Sequence, residues 1–109
     1  MEIEIDKLRK MLTDAGIPHV NLRERYPIDV PWPRQTWGKA GTWIRNQVLY
    51  PDGENARFDA IWQAGSYGCE QGLIETYHTL GVDERGEPRV MDAEEAFEII
   101  RKDWEGTNG

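Results

Sequence analysis

The stretch Phe58-Asp59-Ala60-Ile61-Trp62-Gln63-Ala64-Gly65-Ser66-Tyr67-Gly68-Cys69-Glu70-Gln71-Gly72-Leu73-Ile74-Glu75 decides how the rest of the chain is read. From Phe58 to Gln63 its two sides differ, as in a strand with one buried face. Phe58, Ala60 and Trp62 share that face, while Asp59, Ile61 and Gln63 share the other. Ala64–Gly68 then supplies glycines for a sharp turn. Beyond it Cys69, Leu73, Ile74, Tyr77 and Leu80 recur at helical spacing, with Glu70, Gln71, Glu75, Thr76 and Thr79 turned outward. The spacing predicts a helix over 69–80, capped near Gly68 and ended by Gly81.

Working outward, Ile44, Val48, Leu49 and Tyr50 lead into the turn segment Pro51-Asp52-Gly53-Glu54-Asn55. That pattern predicts a β-hairpin onto the Phe58 strand, with a loop of about four or five residues. Residues 3–15 read as an amphipathic helix with Ile5, Leu8, Met11, Leu12 and Ala15 on one side, stopped by Gly16 and Pro18. Residues 19–23 alternate as a short strand. Residues 24–42 form an irregular loop rich in Pro and Trp. Downstream, 82–91 is a polar loop with a short extended piece at Arg89-Val90-Met91. Asp92-Ala93-Glu94-Glu95 is a capping box, and Ala96, Phe97, Ile100 and Trp104 form the buried stripe of a third helix, with 106–109 as a frayed tail. The expectation is a single α+β domain over 1–109: three helices on a small, mainly antiparallel sheet of three to four strands.

At 109 residues, 39% hydrophobic and 30% charged, the chain has the balance of a soluble domain with little room for a large cleft. No apolar run approaches the ~18 residues of a membrane span, and the acidic start Met-Glu-Ile-Glu-Ile-Asp is unlike a signal segment. A cytoplasmic location is expected. The single Cys69 excludes an internal disulfide and a cysteine zinc site. Net charge is −7 and uneven: residues 1–51 carry eight Lys/Arg against six Asp/Glu, and residues 52–109 carry five against fourteen. Direct nucleic-acid binding is disfavoured, and a basic partner is favoured.

Candidate chemistry is sparse. Gly65, Ser66, Tyr67 and Gly68 approach a nucleophile elbow, but Ala64 stands where G-x-S-x-G needs glycine, and only His19 and His78 could act as base. The same turn could cradle an anion such as a nucleotide phosphate, though Glu70 follows it and no Lys or Arg adjoins it. No metal or cofactor motif is present in the sequence. Glu94, Glu95 and Glu98 form an acidic helix face suited to a basic partner rather than a catalytic pair. Aromatic residues are the stronger signal. Trp32 and Trp37, beside Arg34 in a proline-rich run, and Trp43 and Tyr67 fit no regular buried stripe, which suits interface anchors or, for Trp32 and Trp37 equally, a cover over one open face of the sheet.

The segment Phe58–Gly68 with Glu70–Glu75, followed by Met91-Asp92-Ala93-Glu94-Glu95, resembles small phage- and prophage-encoded proteins of gut Firmicutes. In those proteins a "DAI…GSYG…GLLE" segment precedes a terminal helix. The likeness covers the C-terminal half well and the first helix loosely; the Pro-Trp loop has no counterpart. It carries no catalytic residues over. It implies a phage accessory protein that binds and inhibits a host defence protein, such as a CRISPR effector or other nuclease with a basic groove. A small-molecule, nucleotide-type binder using Gly65–Gly68 is the alternative, and a small hydrolase is third.

Overall fold

Five strands pair in chain order into one antiparallel sheet, β1-β2-β3-β4-β5, with the helices α1 and α3 packed together across it. The computed structural model describes residues 3–25, 43–62 and 71–108. The elements are α1 (Glu4–Asp14), β1 (Val20–Arg25), β2 (Trp43–Tyr50), β3 (Phe58–Ile61), β4 (Ile74–Tyr77), α2 (His78–Gly81), β5 (Arg89–Met91) and α3 (Ala93–Asn108).

The first helix starts without a side-chain cap, and its end is closed in the manner Gly16 predicts. Gly16 has φ +70, its N–H donates to Thr13 O, and the Ile17 N–H donates to Leu12 O, while the Ile17 side chain is buried. This is a Schellman closure with its apolar clasp. Ile5, Leu8 and Leu12 lie fully inside the core. Arg9 lies on the same side, and its guanidinium donates to Asn21 Oδ1 at 3.0 Å, Asp6 Oδ1 at 3.0 Å and Asn46 Oδ1 at 2.6 Å. Burial first, then the nearby Arg23, pulls Arg9 below the usual guanidinium range, and Asp6 works against both. The arginine thereby joins α1 to β1 and β2.

The β2–β3 hairpin forms as its alternation predicts, in the register Val48↔Ala60 and Tyr50↔Phe58. Those four side chains are buried beneath the helices, and Trp62 packs partly against them. The connection is longer than expected, spanning 51–57, and the Arg57 N–H closes it onto Tyr50 O.

The expected helix over 69–80 is corrected. Ile74–Tyr77 is a strand pairing with β3 and β5, and only the short α2 remains helical. Gly72 has φ +77, which a continuous helix from Cys69 cannot contain. Ile-Glu-Thr-Tyr is a β-branched and aromatic run, and the backbone of β3 needs a partner on the side away from β2. Ile74 and Thr76 then face the core. The short extended piece at 89–91 is β5, so the sheet has five strands rather than three to four.

The third helix begins where the capping box predicts. Asp92 Oδ1 accepts the Glu95 N–H at 2.9 Å, although the Glu95 carboxylate turns to Arg89 instead of closing the box. The helix runs through Asn108, past Gly106, and buries Ala93, Ala96 and Ile100. Residues 26–42, the bulk of the Pro-Trp loop, lie outside the described residues, as does the last residue of the tail.

Candidate protein-binding surface

Of the residues nominated from sequence, Trp32, Arg34, Trp37, Gly65, Ser66, Tyr67 and Gly68 lie outside the described residues. The strand ends that flank them are described. Arg25 pairs with Trp43, and Ile61 pairs with both Gln47 and Glu75, so both connections leave the same end of the sheet. The opposite end carries the connections 51–57 and 82–88, joined where the Leu80 N–H donates to Arg57 O.

Glu94, Glu95 and Glu98 are all exposed on α3, and each has a cation beside it. Glu95 pairs with Arg89, and Glu94 stands 3.8 Å from Lys7 Nζ. Glu98 takes two hydrogen bonds from Arg101, at 3.0 and 2.6 Å, and these hold its carboxyl below the usual carboxylate range. Arg101 also reaches Glu105 at 2.6 Å. Further along, Asp103 accepts from Tyr50 Oη and from Arg57, each at 2.6 Å. Much of the acidic charge of α3 is therefore compensated from within the fold.

The loop end differs. Arg57 and Arg89 both pair with α3 carboxylates, which leaves Arg85 as the cation within the 83–87 loop. Glu54, Glu84 and Glu87 are exposed and have no ion pair among the described residues. Two aspartates hold the backbone beneath them. Asp52 Oδ1 accepts the N–H groups of Glu54 and Asn55 at 2.9 and 2.7 Å. Asp83 Oδ1 accepts those of Arg85 and Glu87 at 2.9 and 3.0 Å, and Val82 bridges to Pro88. These turns fix the loops without a partner. A cleft of about 670 Å³ lined by Val82, Asp83, Glu84, Arg85 and Arg89 opens beside them. Sequence reasoning missed this pole, because its excess charge depends on where Arg57 and Arg89 point.

Two other clusters invite chemistry. Gln47 Nε2 donates to Asp59 Oδ1 at 2.7 Å, and His78 Nε2 stands 3.9 Å from Asp59 Oδ2. An imidazole beside an oriented carboxylate is the arrangement a serine nucleophile needs, but 3.9 Å exceeds hydrogen-bond reach. Its signal in the sequence was hidden, since Asp59 and His78 become neighbours only if 74–77 is a strand. The second cluster is Glu4, Asp92 and Glu94, whose carboxylate oxygens lie within 4.8 Å of one another. Lys7 Nζ already bonds Glu4 at 3.1 Å, and Glu4 accepts the Ala93 N–H at 2.9 Å. These contacts tie the N-termini of α1 and α3 together, satisfying a helix donor that would otherwise be orphaned.

No helix among the described residues is long and apolar enough to cross a membrane. No protein-family model matches the chain, and neither the curated proteins nor the solved structures contain a significant match.

Proposed function

We propose that the chain is a non-catalytic cytoplasmic protein that binds a basic protein surface through the acidic pole built by 52–54 and 83–87. The supporting observation is the set of exposed carboxylates Glu54, Glu84 and Glu87, which form no ion pair among the described residues, outnumber the neighbouring Arg85, and are held on loops that Asp52 and Asp83 organise in advance. Preformed loops lose little conformational freedom on binding, and like charges at one pole steer a cationic partner toward it. Glu94, Glu95 and Glu98, each already beside a cation, would contribute less. Trp32, Trp37 and Tyr67, which lie outside the described residues, would supply apolar anchors for the same partner. The resemblance to phage-encoded proteins makes the nucleic-acid groove of a host defence nuclease, such as a CRISPR effector, the first partner to test.

The test is calorimetry against a guide-free RNA-guided nuclease at two ionic strengths. Binding should weaken by about tenfold or more between about 50 and 300 mM salt. Reversing the pole with Glu54→Lys, Glu84→Lys and Glu87→Lys together should abolish it, whereas Glu94→Gln, Glu95→Gln and Glu98→Gln together should change it by less than about threefold. Binding that ignores both salt and charge reversal would sink the proposal.

A further inference from the structure

We infer, resting on the binding proposed above, that the acidic pole takes its partner as an extended, positively charged segment added to the outer edge of β5. The strand order leaves β5 at the end of the sheet with no further strand beside it among the described residues. The outward N–H and C=O groups of such an edge are a template for another chain. Val90, at 42% exposure, is the one large apolar side chain exposed among the described residues, and it stands at the centre of this edge. It pairs with Glu75, while its neighbour Met91 pairs with Ile74 and is buried with the core. Val90 thus faces away from the helices and is placed to meet an apolar side chain from an added strand.

Charge sets the kind of strand. Glu84 and Glu87 precede β5 with Arg85 between them, and Asp92 follows it, while Arg89 is held by Glu95, so the carboxylates outnumber the one cation left in the loop. An edge flanked by carboxylates at both ends fits Lys or Arg on either side of an apolar residue, and it repels an acidic strand. The cleft beside the first residue of β5 is lined by Val82, Asp83, Glu84, Arg85 and Arg89, so carboxylates and guanidinium groups stand side by side there. Three residues of edge offer few backbone bonds, so both the pairing and the flanking charges are needed.

The experiment titrates the ¹⁵N-labelled protein with a Lys-Val-Lys-Val-Lys peptide, with the same peptide N-methylated at alternate amides, and with Glu-Val-Glu-Val-Glu. The first should shift and protect the amides of Arg89, Val90 and Met91. N-methylation should weaken binding by about tenfold, the loss of one or two hydrogen bonds. Val90→Lys, at an exposed position, should weaken it about as much, and the acidic peptide should not bind. Equal binding of the N-methylated peptide, with shifts confined to 52–54 and 83–87, would overturn strand addition and leave the acidic pole standing as a charged surface. No shift with either cationic peptide would overturn both.

Discussion

Asp103 shows how one residue can fix an element. Its carboxylate takes the buried Tyr50 hydroxyl on one oxygen and Arg57 on the other, so it ties the middle of α3 to both sides of the β2–β3 connection. Burial first, and then the Asp103 hydrogen bond and charge, pushes the Tyr50 phenol well above its usual value of about 10. A phenol whose folded value is raised contributes stability that is complete below the unfolded value and is lost as pH climbs toward the folded one. The urea midpoint should therefore hold from neutral pH to about pH 10 and fall above it. Asp103→Ala should cost about 1–3 kcal/mol at neutral pH and make the alkaline fall shallower, without removing it, because burial persists. A wild-type midpoint that rises above pH 10 would contradict this account.

At the scale of elements, the β4–α2 joint is the tightest corner in the described chain. Thr76 Oγ1 donates to Gly81 O at 2.6 Å, and a Cβ on Gly81 would lie 3.1 Å from the Thr76 carbonyl carbon. Backbone at that distance cannot rotate away, so Gly81→Ala should lose about 1–3 kcal/mol in urea unfolding. His78 opens α2 with φ +67, a left-handed conformation that an imidazole-bearing residue adopts at a cost. His78→Gly should be neutral or gain up to about 1 kcal/mol. A clear loss would mean that the contact with Asp59 outweighs the strain. This joint also explains why the second helix was misread. Leu73, Ile74, Tyr77 and Leu80 satisfy helical spacing, while Ile74 and Thr76 equally satisfy a strand, and four residues are too few to separate the periods. The open side of β3 made the choice, which the β-branched and aromatic residues of 74–77 permit but do not dictate.

Across the whole molecule, net charge conceals an uneven arrangement. The carboxylates of α3 pair with cations from α1, β5 and α3 itself, whereas Glu54, Glu84 and Glu87 form no ion pair among the described residues. Replacing the three loop glutamates with glutamine should leave thermal stability unchanged or raise it, by relieving repulsion. Replacing Glu94, Glu95 and Glu98 should lower it at low salt, with the difference shrinking toward about 1 M salt. Equal responses from the two sets would remove the distinction between pole and helix.

The glycine-containing stretch at 58–75 was legible as far as its strand, since Phe58, Ala60 and Trp62 declare their face by alternation alone. Local chemistry likewise determined where α1 stops and where α3 starts, because Gly16 and Asp92 act within a turn or so of backbone. What the tertiary structure decided was every feature that needs partners distant in sequence. The open side of β3 and β5 together make 74–77 a strand, α1 supplies the Glu4 carboxylate at the start of α3, and Arg57 and Arg89 leave one pole negative by pairing elsewhere. Periodicity reports which side of an element is apolar; it cannot report which neighbour will meet its backbone groups and charges.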